Sequence, residues 1–139
     1  MVPATRPADI VWRAVWMGYA VAVAGTIALG GGLFVVEPNV WRVALTGLAS
    51  LLVAGFTAGW NARTAEPLNG ALIAAIYLLT VMAALFGGEI LGVLPDPLPG
   101  LPRGDSTFFF VWPLGQIATA TVGSAVGGWL ASATGRKQR

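Results

Sequence analysis

The stretch VALTGLASLLVAGFTAGWNA, residues 43–62, decides the fold. It runs from Arg42 to Arg63 without a charge. A helix needs about 20 apolar residues to cross the hydrocarbon core of a bilayer, and this stretch supplies them. Its Thr46, Ser50 and Thr57 do not disqualify it, because hydroxyls can bond the carbonyls of their own helix.

Outward from this run, the same pattern recurs on both sides. Residues 14–36 and 67–88 carry no charge, and neither do residues 106–135. Composition agrees: 56% of residues are apolar and 10% charged, against about 25% charged in an ordinary soluble domain. The mean hydropathy is +0.75. We therefore expect an all-α polytopic membrane protein. Its single transmembrane domain covers residues 1–139, with four transmembrane helices at about 14–36, 43–62, 67–88 and 111–134, arranged as two hairpins.

Proline and glycine mark the ends. Pro38 follows the first span, and Pro67 falls at the start of the third, where its missing N–H costs nothing. Glu37 to Arg42 and Arg63 to Glu66 are short enough to be tight turns. The third connection, residues 89–105, holds Pro95, Pro97, Pro99 and Pro102, which favour an extended path. Pro113 suggests that the fourth helix starts near Val111 or Trp112, leaving Phe108, Phe109 and Phe110 at the interface. A longer, kinked helix from about Thr107 is the alternative. Ala22-Val23-Ala24-Gly25 has the small residues of a signal-peptide cleavage site. The apolar run continues to Val36, too long for a typical signal, so it reads as a span.

An even number of spans puts both termini on one side. That side takes Arg6, Arg13, Arg63, Arg136, Lys137 and Arg139, and the other side takes Arg42 and Arg103. Positive residues favour the cytoplasm, so both termini are predicted there, in a prokaryotic inner membrane. The tryptophans fall at span ends, Trp12, Trp16, Trp60 and Trp129 on the terminal side and Trp41 and Trp112 on the other. This is the aromatic belt expected at the headgroups. The basic residues form no stripe of the kind nucleic-acid binders carry, so no nucleic acid is expected. The basic tail Arg136, Lys137 and Arg139 reads as an anchor to anionic lipid.

Apolar burial does not drive helices together in lipid; close approach of small residues does. Gly55 and Gly59 make one GxxxG step and Gly123 and Gly127 another, extended backwards by Gly115 and Thr119. Gly18, Ala22, Thr26 and Gly30 form a similar ridge, and Gly70, Ala74 and Leu78 a shorter one. Gly30-Gly31-Gly32 is a weak place that either makes a close contact or unwinds. Gly55 to Trp60 and Ser124 to Trp129 both end in Gly-Trp, which raises an internal duplication of the hairpin.

The chain has no cysteine and no histidine. That excludes thiol nucleophiles, Ser-His-Asp triads, His-ligated haem and the usual zinc ligand sets. No ionisable residue lies in mid-span, where transporters usually place one. Three polar positions stand out as candidates. Glu37 and Glu89 sit at matching outer boundaries, where two carboxylates can bind a cation or attract a basic partner, or simply end a span. The apolar run continues past Glu89; if it stays helical, Glu89 is partly buried and its pKa rises. Gln116 should make an interhelical hydrogen bond. Asn61 reads as a C-terminal cap and Asn69 as a residue of the turn. No enzyme activity, cofactor or metal is expected.

The run Ala54-Gly55-Phe56-Thr57-Ala58-Gly59-Trp60, followed by Pro67-Leu68-Asn69-Gly70-Ala71-Leu72, resembles a set of small four-helix prokaryotic membrane proteins of unknown function. Those share an AGxxAG end to the second helix, a short basic turn and a GAxxG-like start to the third. Here Ala74 stands in place of the last glycine. The resemblance covers about the central third of the chain and implies four helices without enzyme activity. The function expected from the residues is that of a non-catalytic integral membrane protein, an accessory or scaffolding subunit or an orphan small membrane protein. It would be partnered by lipid and by another membrane protein or a second copy. A small oligomeric transporter or channel is the alternative.

Overall fold

The computed structural model describes residues 9–62, 64, 66–94 and 106–135. All regular structure among them is helical. The first span, Trp12–Val36, is one rod in three pieces: α1 Trp12–Gly25, a π-helical stretch Thr26–Gly31, and α2 Gly32–Val36. The others are α3 Val40–Asn61, α4 Glu66–Ile90 and α5 Ser106–Ala133. Four helices are thus long and apolar enough to cross a membrane.

The ends follow local chemistry. Asn39 caps α3, its side-chain oxygen accepting from the Trp41 N–H at 2.9 Å, so α3 starts earlier than the charge gap suggests. Asn61 donates to the Thr57 carbonyl in the last turn. Gly92, at φ +67°, lets the chain turn back after α4, and the Val93 N–H reaches the Gly88 carbonyl at 2.9 Å. A Cβ is disfavoured in that left-handed conformation.

The start of α5 is that of the longer alternative and not the one near Val111 or Trp112. The helix begins at Ser106 and carries Pro113 inside it. Phe108 and Trp112, one turn apart, stack at 5.6 Å, and Trp41 of α3 meets both edge-on at 5.2 and 5.5 Å. This aromatic packing holds the turn ahead of the proline in place. The Pro-rich residues 95–105 lie outside the described residues.

Contacts give the arrangement. Gly18 faces Ala54 and Ala58, Gly25 faces Ser50 and Gly30 faces Thr46, so the first span and α3 run antiparallel. α3 and α5 run parallel and share the largest interface, although they are not neighbours in sequence. α5 packs on α3 and α4 and does not meet the first span; α4 packs on α1, α3 and α5. The core between them holds Val15, Leu51, Ala54, Ile73, Tyr77 and Ala120, all buried. Asp9 meets Thr64, and Glu66 meets Gly128, so these residues lie at one end of the bundle, here called the terminal end.

Candidate functional site

The tightest packing lies between α3 and α5. A Cβ placed on Gly55 or Gly59 would strike the backbone carbonyls of Ala120 and Ser124. One placed on Gly123 or Gly127 would strike those of Leu52 and Phe56. Each helix thus lays two carbonyls over the glycines of the other, close enough for Cα–H···O contact. The interface is locally twofold: one sequence shift maps Gly55 to Gly123, Gly59 to Gly127, Leu52 to Ala120 and Phe56 to Ser124. That shift is one residue shorter than the one aligning Trp60 with Trp129. The twofold stops at this interface, since α4 touches α3 while the first span does not touch α5. Gly115 is not part of it; a Cβ there meets nothing within 4 Å.

Ser124 joins three helices. Its carbonyl covers Gly59, its Cβ lies beside Gly70, and its hydroxyl donates to the Glu66 carbonyl at 2.5 Å. Asn69 does similar work at the terminal end. It is not a solvated turn residue but fully buried, accepting from the Val11 N–H at 3.1 Å and donating to the Thr64 carbonyl at 3.1 Å. It therefore occupies the N–H of the residue that opens α1.

A line of hydroxyls runs between the first span and α4. Thr26 donates to the Ala22 carbonyl, and its oxygen lies 2.9 Å from the Tyr77 hydroxyl. Thr80 donates to the Ile76 carbonyl, and its oxygen lies 2.9 Å from the Tyr19 hydroxyl. Each threonine has one proton and directs it to its own helix, so each tyrosine donates across. Tyr77 is 3% exposed, and Gly47 of α3 leaves room for its hydroxyl. The π-helical stretch begins at Thr26. Stretches of this kind often mark functional places in helices. Gly30 makes a close contact with Thr46, while Gly31 and Gly32 face open space; the triple glycine widens the helix rather than unwinding it.

Two buried atoms are left over. Ser50 Oγ, facing Gly25, and Gln116 Oε1 have no hydrogen-bond partner among the described residues. The Gln116 carbonyl oxygen thus takes no part in an interhelical bond among the described residues, although the side chain is buried.

The two outer carboxylates are not brought together. Glu37 pairs with Arg42 across the turn between α2 and α3, with both side chains largely exposed. Glu89 is exposed in the last turn of α4; the condition for its burial is not met, since the helix ends at Ile90 and the chain turns beyond it. α2, which ends beside Glu37, does not touch α4.

Sequence reasoning missed Asn69, Tyr77 and Ser124 as structural centres. Each is a single polar group in an apolar run, and only the tertiary partner gives it meaning. No protein family, curated protein or solved structure matches the chain.

Proposed function

We propose that this chain is a non-catalytic integral membrane protein that acts as an accessory or scaffolding subunit by packing against another membrane protein. The observation that carries this reading is the distal half of the first span. α2 has no buried residue, and Val35 and Val36 are 84% and 80% exposed. Gly31 and Gly32 lie in open space there. Glycine in a helix costs about 1 kcal/mol against alanine. That cost has a use where another backbone comes close.

In this reading the helices form two hairpins in a prokaryotic inner membrane, with both termini cytoplasmic. The excess of arginine and lysine on the terminal side supports that orientation. The resemblance to small four-helix prokaryotic membrane proteins supports the same class. Glu37 and Glu89 are boundary residues.

A photoreactive residue at Val35, in the native membrane, tests the reading. It should capture one defined polypeptide, whereas the same probe at Leu79, 71% exposed on α4, should capture lipid. Lipid alone at both positions contradicts it. A second reading, a small oligomeric transporter or channel, draws on the buried Ser50 Oγ and Gln116 Oε1, which have no hydrogen-bond partner among the described residues. It requires solute flux in vesicles that Ser50→Val or Glu89→Gln abolishes.

A further inference from the structure

We propose that a notch at the terminal end of the bundle binds the phosphate of an anionic phospholipid. A cavity of about 180 Å³ opens there between the first turn of α1 and the last turn of α3, lined by Val11, Arg13, Ala14, Met17 and Asn61. Its lining is divided in the way a lipid headgroup requires. Val11, Ala14 and Met17 supply an apolar wall, and Arg13 and Asn61 supply polar hydrogen-bond donors.

The charge of Arg13 is available. Among the described residues it makes no ion pair and no hydrogen bond, whereas Arg42, at the opposite end, is paired with Glu37. An arginine fork matches phosphate oxygens two at a time. The Asn61 amide nitrogen is already engaged with the Thr57 carbonyl, through one of its two hydrogens, which leaves the other for a ligand. Asn69 takes the Val11 N–H, but no side chain among the described residues bonds the N–H groups of Trp12, Arg13 and Ala14, so the positive end of α1 adds to the same field.

The depth fits the same ligand. Trp12 and Trp16, 53% and 54% exposed, flank the notch on α1 and mark the headgroup level. Asp9 precedes the helix and does not line the cavity. A phosphate seated on Arg13 would place its acyl chains along the exposed face of Met17, 40% accessible.

The test uses the full-length protein in a non-ionic detergent. Phosphatidylglycerol and phosphatidylcholine with the same acyl chains are titrated in, and bound lipid is counted by native mass spectrometry. The wild type should retain phosphatidylglycerol at least about fivefold more tightly than phosphatidylcholine, the preference that one basic residue near headgroups supplies. Arg13→Ala should lower that preference about fivefold, leaving only what the basic tail contributes, Arg13→Lys should keep most of it, and Arg42→Ala should leave it unchanged. Equal retention of the two lipids by the wild type overturns the proposal. So does a preference that Arg13→Ala leaves unchanged, or one that Arg42→Ala lowers as effectively. Displacement of phosphatidylglycerol by millimolar inorganic phosphate would reassign the notch to a soluble phosphate and overturn the lipid ligand.

Discussion

Gly59 has no room for a methyl group, because the Ser124 carbonyl occupies the place where a Cβ would stand. The obstacle is backbone, which cannot rotate aside. Gly59→Ala should therefore destabilise the bundle by about 1–3 kcal/mol, the usual range for overpacking. Gly115→Ala should be neutral or stabilising by up to about 1 kcal/mol, since that site is open and alanine is the better helix former. Thermal unfolding in detergent compares the two. The four-residue glycine spacing was legible in the sequence; the carbonyls that fill each gap were not, because periodicity alone does not name the facing helix. Asn69 shows the limit more sharply. Its place beside a turn suggested solvent, yet it is buried and bonded to Val11 and Thr64. Asn69→Leu leaves the Val11 N–H and the Thr64 carbonyl without this partner and should destabilise the protein by about 1–3 kcal/mol, measured in the same assay.

Among the elements, the first span is the least evenly held. Its α1 part packs on α3 and α4, while its π-helical stretch and α2 pack on α3 and reach α4 through the Thr26–Tyr77 hydrogen bond. The Tyr77 hydroxyl, donating to Thr26, is the tie at the boundary between these halves. Tyr77→Phe removes it with little change in volume. The expected loss is modest, about 0.6 kcal/mol for an interhelical bond in a membrane. Its more telling sign is faster amide exchange over residues 26–36 with α3 and α5 unchanged, read by hydrogen–deuterium exchange. Uniform exchange along the first span would contradict that role. The spans themselves were legible because the long apolar helices are free of charge between their ends. The start of α5 was legible only as one of two alternatives, because Pro113 looks like a helix start until Trp41, Phe108 and Trp112 are seen packed around the turn before it. The π-helical stretch left only a trace in the sequence, the run Gly30-Gly31-Gly32.

The whole molecule is organised around the parallel packing of α3 on α5. The first span is attached on one side, and its distal arm leans on α3 while leaving Gly31, Gly32, Val35 and Val36 exposed. That arm is the basis for the accessory-subunit reading, in which Glu89→Gln leaves assembly intact because Glu89 is an exposed end residue. The most direct measurement is the native mass and composition of the protein extracted from its own membranes in mild detergent, compared with a variant carrying Gly31→Leu and Gly32→Leu. The wild type should elute in a larger assembly with another polypeptide, and the variant should elute free of it while remaining folded. A wild type that elutes alone, as a monomer or a homo-oligomer, would contradict the account.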